Sequence, residues 1–194
     1  MTFKLYDILS SLIPGFITLC FIFFAFNIAF DKDILVPYTA IAFLLGYVIN
    51  TLGSWLEDLY CLSWGGKPSR QLLADKGIWK VTFYHGAEVR TLLQAETKNL
   101  KATDDELFNI AMRYANATKE TRVEDFNSSY AFSRSLLTCV LISTIILLGK
   151  NYMDWHYYAI LLPLLLIVWL RCKQRSYYYV KEVLTVYFKI KKAG

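Results

Sequence analysis

The chain begins with two long apolar runs separated by a short charged loop. Ile8 to Phe30 and Ile34 to Leu56 contain no Asp, Glu, Lys, Arg or His. Each run exceeds the roughly 18 residues that indicate a membrane-spanning helix. A secretory signal peptide fits the first run poorly, because Lys4 is the only basic residue before it and no small-residue cleavage site follows. The pattern therefore predicts two transmembrane helices near the start of the chain.

Two shorter apolar runs follow later, from Ser135 to Gly149 and from Trp155 to Leu170. Runs of this length also form buried helices in soluble proteins, so a soluble alternative stays open for them. Arg134 and Lys150 bracket the third run, and Arg171 closes the fourth. Long basic side chains at helix ends reach the lipid headgroups and lengthen the usable span. We therefore expect four transmembrane helices.

The segment between the second and third spans has the pattern of a small folded insert. Pro68 suits the first turn of a helix, A-E-V-R-T-L-L-Q-A-E is helical in pattern, and Thr103 with Glu106 predicts a capping box. The alternating I-W-K-V-T-F stretch is compatible with a short strand. With fewer than 80 residues, the insert buries only a small core.

The end of the chain is basic and amphipathic. Apolar residues recur there at a spacing of about 3.6 residues, which predicts a helix that continues the fourth span; they are Val180, Val183, Leu184, Tyr187 and Ile190. The apolar faces of the insert and of this helix are each too small to fold alone. We expect the two to pack together.

These patterns predict an all-α membrane protein. Residues 1–56 hold an interfacial turn, with Leu5, Ile8, Leu9 and Leu12 at helical spacing, and the first two spans. Residues 57–134 form a mainly helical cytoplasmic insert, residues 135–170 form the last two spans, and residues 171–194 form a cytoplasmic helix.

The composition supports a membrane protein. Apolar residues make up 56% of the 194 residues and charged residues 19%, whereas soluble domains average about a half and about a quarter. The net charge is +5. From Glu57 to Arg134 eleven basic residues balance eleven acidic ones, so the positive excess comes mainly from the tail.

The distribution of Lys and Arg predicts the topology. Residues 31–33 and 150–154 together hold two lysines and three aspartates, whereas the tail after Leu170 holds seven basic residues and one acidic residue. Basic residues favour the cytoplasmic side of a membrane. The N-terminus, the insert and the tail are therefore expected in the cytoplasm.

Span two carries a stripe of small and polar residues at steps of three or four: Thr39, Ala42, Gly46, Asn50 and Gly53. Small residues allow close approach of helix backbones, and a shared hydrogen bond adds to the attraction in lipid. We expect this stripe to form the main contact between copies of the chain. Packing against other spans of the same chain and a water-lined pore are the alternatives.

Five basic residues are candidates for contact with an anion or with anionic lipid: Lys67, Arg70, Arg171, Lys173 and Arg175. The W-G-G-K-P-S turn from Trp64 to Ser69 offers a backbone nest for an anion. A basic stretch beside a membrane attracts anionic headgroups. No recognised nucleic-acid motif accompanies the charge, so direct binding of nucleic acid is not expected.

The residue types that carry catalysis or bind metals are sparse. No two of the four cysteines and two histidines have metal-ligand spacing, so neither a metal nor another cofactor is expected. The four runs contain no acidic or basic residue, and His156 is their only histidine. This pattern argues against an intramembrane protease or a proton-coupled carrier.

Two stretches, Y-D-I-L-S-S-L-I-P-G-F and G-S-W-L-E-D-L-Y-C-L-S-W-G-G-K-P-S, occur within a layout of two spans, an insert, two spans and a short helix. This layout resembles the small four-helix membrane components of bacterial antiviral systems, such as the membrane subunit of the Kiwa anti-phage system and the accessory membrane proteins of type VI-B CRISPR effectors. The resemblance is one of architecture and assigns no functional residue. It implies a homo-oligomer in the bacterial inner membrane that works with a soluble cytoplasmic partner.

We therefore expect a non-enzymatic sensor, scaffold or membrane-perturbing effector in anti-phage defence. Its expected partners are the lipid bilayer, further copies of itself and a soluble cytoplasmic protein. A subunit of a small channel or transporter is the alternative, and a membrane-embedded enzyme is a more distant one.

Overall fold

The computed structural model describes residues 5–97, 99, 101–118 and 121–193, with the backbone alone for residues 5–9, 32, 121 and 193. Its named elements are all helical, which confirms the expected all-α class for the described residues. A short 3-10 turn, Lys32–Ile34, precedes α2. The α-helices are α1 (Leu5–Phe26), α2 (Leu35–Trp55), α3 (Glu57–Ser63), α4 (Pro68–Leu73), α5 (Gly86–Thr97), α6 (Asp104–Ala117), α7 (Thr121–Lys150) and α8 (Trp155–Ala193).

The chain divides into two compact units. The first comprises residues 1–57 and 131–172, and the second comprises residues 58–130 and 173–194. Helices α7 and α8 therefore contribute residues to both units. Each unit has its own hydrophobic clusters.

Three helical stretches are long and apolar enough to cross a membrane: Leu35–Trp55, Arg122–Lys150 and Trp155–Lys192. A fourth apolar stretch, Ser10–Phe26, counts 17 residues among the described side chains, one short of the usual threshold. The expected interfacial turn lies partly outside the described residues, since residues 1–4 and the side chains of residues 5–9 are not described. From Leu5 the backbone is already part of α1.

Helix α7 begins much earlier than the third apolar run. The run was expected to start at Ser135, whereas the helix starts at Thr121. Residues 121–134 contain neither Gly nor Pro, so nothing in this stretch interrupts a helix that enters the apolar run. Apolarity therefore marks only the later part of this helix.

Helices α1 and α2 pack closely in the first unit. Leu19, Tyr38 and Ala42 form a buried cluster, and Phe16 and Phe23 of α1 pack against it. The rings of Phe23 and Tyr38 meet edge to face with centroids 5.1 Å apart, an arrangement that aromatic pairs prefer. A second cluster joins Ala25 of α1 to Leu147 of α7 and Leu161 of α8.

The core of the second unit is formed jointly by the insert and the end of α8. Leu72, Val89, Leu93, Leu107 and Ala111 come from the insert, and the α8 residues Tyr177, Val183, Leu184, Val186 and Tyr187 are buried with them. The tail helix therefore completes a core that the insert alone does not close. This packing agrees with the docking expected from the two apolar faces.

Local signals in the insert are confirmed in detail. Pro68 stands in the first turn of α4. The Thr103 side chain accepts from the Glu106 backbone N–H while the Glu106 side chain accepts from the Thr103 backbone N–H, so the expected capping box at the start of α6 is present. Both signals work locally, by supplying partners or fixed dihedrals to the first helical turn.

The short strand that the alternation in I-W-K-V-T-F suggested does not form. Ile78 and Val81 form an isolated antiparallel bridge, with N–H to O distances of 3.0 and 2.9 Å, around a tight turn at Trp79 and Lys80. Val81 and Phe83 are buried in the core, and Thr82 between them is exposed. The alternation therefore reflects a loop with anchored side chains, because no neighbouring strand pairs with it in the described part of the chain.

Candidate functional site

A charged groove of about 510 Å³ is the candidate site in the second unit. It is lined by Asp58, Cys61, Leu62, Gly66, Lys67, Arg70, Thr103, Asp104 and Asp105. Helix α3, the turn to α4, α4 itself and the start of α6 supply these residues. The groove therefore combines the G-G-K-P turn with the acidic first turn of α6.

The turn after α3 owes its shape to two glycines. Gly66 N–H donates to the Cys61 carbonyl at 2.9 Å and Gly65 N–H donates to the Leu62 carbonyl at 3.1 Å, the paired bonds of a Schellman helix end. Gly65 and Gly66 have φ angles of +89° and +119°, which side chains with a Cβ rarely tolerate. Pro68 then starts α4 with its fixed φ.

Lys67 lies between two aspartates in this groove. Its Nζ lies 2.9 Å from Asp105 Oδ2 and 3.5 Å from Asp58 Oδ1. The hydrogen bond that Lys67 donates to the Asp105 carboxylate is the main cause that raises the pKa of Lys67 above its usual value. The ammonium group therefore neutralises acidic neighbours in this geometry, so an anion would have to displace them.

The guanidinium group of Arg70 in the groove also faces a carboxylate. Arg70 Nε lies 3.9 Å from Asp104 Oδ2, and Arg90 forms an ion pair with the same aspartate. The negative charges of α6 are partly compensated in this way and favour the positive end of the α6 dipole. The groove thus presents both signs of charge, an arrangement that suits a mixed-charge polypeptide better than a phosphate.

The other three basic candidates lie on α8. Lys173 donates from Nζ to the Trp64 carbonyl at 3.2 Å, which ties the tail helix to the turn after α3. Arg175 is half-buried in the second unit, and Arg171 is exposed in the first. Of these five basic residues, Lys67 and Arg70 line the groove, whereas the three on α8 do not.

The stripe on α2 lies largely in intrachain contacts of the first unit. A Cβ atom at Gly46 would overlap the Ser11 carbonyl, and one at Gly15 would overlap the Ala42 carbonyl, so α1 and α2 touch backbone to backbone. Thr39 lies on an exposed part of α2 and donates to the Leu35 carbonyl at 3.0 Å.

The later part of the stripe, Asn50 and Gly53, faces α7. Ser135 donates from its hydroxyl to Asn50 Oδ1 at 3.1 Å. A Cβ atom at Gly53 would lie 2.8 Å from Thr138 Oγ1. Asn50 therefore does supply an interhelical hydrogen bond, and its partner here belongs to the same chain.

A partly buried ion pair near this contact was missed by the sequence reasoning. Arg134 was expected to extend towards headgroups, yet its side chain is only 13% exposed and forms an ion pair with Glu57. Its Nη2 also donates to Ser54 Oγ at 2.8 Å. The available signal was the position of opposite charges at the ends of two apolar runs, which would bring them to the same membrane face.

Small polar side chains also lie on the buried face of α7. Ser135, Thr138, Ser143 and Thr144 are buried, and Thr18 of α1 lies 3.2 Å from the Cys139 thiol. Small polar side chains of this kind join helices within membranes. Among the described residues, no group of three or more His, Cys, Asp or Glu could hold a metal ion.

No family model, curated protein or solved structure matches this chain. The resemblance to antiviral membrane components therefore stays a prediction. The two sets of contacts differ in what they offer. The stripe binds helices of the chain to one another, whereas the groove is an accessible, charged cavity in a folded unit.

Proposed function

We propose that the chain is a multi-pass inner-membrane scaffold of a bacterium that presents its second unit to a soluble cytoplasmic protein. The observation that carries the proposal is the combination of membrane-length apolar helices with a separately packed unit that has a groove of both charges. The apolar helices supply localisation, and the groove supplies recognition.

The proposed topology has four spans with both termini and the insert in the cytoplasm. Helix α1 has 22 residues and carries no charge after Asp7, so it is long enough to join the three other spans. The seven basic residues after Leu170 favour a cytoplasmic tail. Because the tail helix packs into the same core as the insert, the two must lie on one side of the membrane.

The groove has the features of a protein docking site. Its rim includes Leu62, which is 75% exposed, and the Arg70 side chain, which is 76% exposed. Leu59, also on α3, is exposed as well. Apolar contact surrounded by charges of both signs gives affinity together with selectivity for a complementary protein.

The defence role rests on the resemblance in architecture, which also suggests assembly into homo-oligomers. A scaffold or sensor needs no catalytic group of its own, and its output passes through the partner. A soluble protein encoded beside this chain is the natural partner to examine.

Plating of phages on a bacterial host tests this proposal. The host carries the chain with its neighbouring gene, and the variants Leu62→Asp and Arg70→Glu alter exposed groove residues without removing core contacts. Arg113→Glu changes an exposed residue of α6 outside the groove and serves as the matched control. We expect the groove variants to lose protection and partner retention in purified membranes, while the control keeps both.

Two results would contradict the proposal. Protection that survives both groove variants would remove the groove from the function. Ion flux through vesicles that contain the chain alone, unaffected by the groove variants, would instead favour the channel alternative.

A further inference from the structure

A loop of the second unit exposes two aromatic side chains that its core does not use. Trp79 is 80% exposed and Tyr84 is 83% exposed. Exposure of this much aromatic surface has a cost in water unless a partner covers it. Both residues belong to the stretch from Lys76 to Tyr84, named the aromatic loop below.

The aromatic loop is held firmly rather than loosely. The bridge between Ile78 and Val81 closes a two-residue turn, with Lys80 at a φ angle of +66°. Val81 and Phe83 are buried in the core of the second unit and fix the base of the turn. The structure thus presents Trp79 at the tip in a defined position.

The charge of the loop is positive. Lys76 and Lys80 are exposed, and Lys80 Nζ lies 4.3 Å from the centroid of the Trp79 ring. Asp75 is the acidic residue beside them, and its two carboxylate oxygens accept the backbone N–H groups of Gly86 at 2.7 Å and Ala87 at 3.3 Å. The Asp75 carboxylate is therefore directed at the start of α5, and the two lysines dominate the tip.

The contact between the loop and α8 bears on its location. Tyr178 donates from its hydroxyl to the Lys80 carbonyl at 3.4 Å. Tyr178 follows Leu170, the last residue of the fourth apolar run, by eight residues. The loop is therefore attached to a part of α8 that is close in sequence to the apolar segment.

We propose that the aromatic loop is a membrane-interface anchor that docks Trp79 and Tyr84 into the headgroup region of an anionic bilayer. Tryptophan and tyrosine favour this region because their rings are amphipathic. Lysines beside these rings are attracted to anionic headgroups, which stabilises the docked loop. The inference rests on the proposed membrane insertion of the apolar helices and adds a second contact with lipid, made by the folded unit.

Fluorescence quenching in lipid vesicles tests the anchor. The full chain, with its four native cysteines replaced by serine, carries one fluorophore on Thr82→Cys, Arg113→Cys or Leu44→Cys. Vesicles of phosphatidylcholine, with or without phosphatidylglycerol, contain lipids with a quencher at headgroup or acyl depth. Thr82 is exposed on the loop, Arg113 is exposed on α6, and Leu44 is an exposed apolar residue of α2.

We expect the Leu44 label to be quenched from acyl depth in both vesicles, which establishes insertion of α2. The Thr82 label should be quenched from headgroup depth, more strongly with phosphatidylglycerol and less at high salt, while the Arg113 label stays unquenched. Lys80→Glu replaces the attraction of one basic residue for anionic headgroups with repulsion, and should lower the equilibrium constant for docking of the loop at least about fivefold. Trp79→Ser should lower it further without changing the melting temperature, because Trp79 is outside the core.

The two proposals fail in different ways. An unquenched Leu44 label would contradict membrane insertion and hence the proposed function. A quenched Leu44 label with an unquenched Thr82 label in both vesicles would overturn the anchor alone. Quenching of the Thr82 label that does not change with phosphatidylglycerol, with Lys80→Glu or with Trp79→Ser would likewise overturn the anchor.

Discussion

At Tyr187, one buried hydroxyl without a hydrogen-bond partner in the described part of the chain lowers the stability of the core of the second unit. Its side chain is fully buried, its ring meets Tyr114 edge to face at 5.5 Å, and its hydroxyl has no hydrogen-bond partner among the described residues. Burial, with a smaller contribution from the Glu96 carboxylate, raises the pKa of Tyr187 to about 12. The phenol therefore stays neutral over a wider pH range, but its buried oxygen makes no hydrogen bond to any residue that the structure describes, so nothing offsets the loss of contact with water.

Replacing Tyr187 with Phe should leave the free energy of unfolding unchanged or raise it by up to about 1 kcal/mol near neutral pH, because the ring contacts stay and an unpaired polar group is removed. Thermal unfolding of the detergent-solubilised chain gives this value. Tyr84→Phe, at an exposed tyrosine, is the control and should have no effect. A marked loss of stability in Tyr187→Phe would mean that the hydroxyl is bonded in solution.

The raised pKa of Tyr187 also predicts a pH dependence. Between the ordinary tyrosine value of 10.0 and about 12, the unfolded chain loses the phenol proton while the folded chain keeps it. The unfolded state then binds fewer protons, so the free energy of unfolding falls as pH rises through this window. Melting temperatures should decline less steeply above pH 10 in Tyr187→Phe than in the wild-type chain. Identical slopes would contradict this assignment.

Gly46 is the second position where one residue decides the packing. A Cβ there would overlap the Ser11 carbonyl, whereas a Cβ at Gly149 would meet nothing within 4 Å. Gly46→Ala should destabilise the first unit by about 1–3 kcal/mol through overpacking. Gly149→Ala should be neutral or stabilising by up to about 1 kcal/mol, because alanine has less chain entropy to lose. Equal melting temperatures for the two variants would refute the close contact of α1 and α2.

At the scale of elements, the end of α8 contributes to the core that it shares with the insert. Leu184 is fully buried in that core, and Lys189 on the same helix is exposed. Leu184→Asn should cost several kcal/mol, because it removes apolar contacts and buries an amide. Proteinase K digestion of inside-out vesicles should then cleave the insert rapidly, whereas Lys189→Gln should resist like the wild type. Resistance of both variants would mean that the insert folds without α8.

Helix starts were predictable from sequence where the signal was local. Pro68 and the capping box at Thr103 fix helix starts through their nearest neighbours. The strand expectation failed because alternation at Val81 and Phe83 arises from burial against other helices, which sequence spacing does not report. The pairing of Arg134 with Glu57 depends on two elements 77 residues apart, and no local pattern identifies it.

At the scale of the whole molecule, the chain has two cores with different characters. The first unit joins apolar helices through small residues and polar side chains, as lipid-embedded proteins do. The second unit has a hydrophobic core surrounded by ion pairs, such as Lys191 with Glu96, as water-soluble domains do. This contrast supports the proposed placement of the first unit in the bilayer and of the second unit in the cytoplasm.

Side-specific labelling of single cysteines tests that assignment most directly. In a chain whose four native cysteines are replaced by serine, one cysteine is placed at Thr2, Asp31, Lys101 or Tyr152. A membrane-impermeant maleimide added to intact cells should label Asp31→Cys and Tyr152→Cys, and should label Thr2→Cys and Lys101→Cys only after permeabilisation. Labelling of Lys101→Cys in intact cells would contradict a cytoplasmic insert, and labelling of Thr2→Cys would contradict a fourth span in α1.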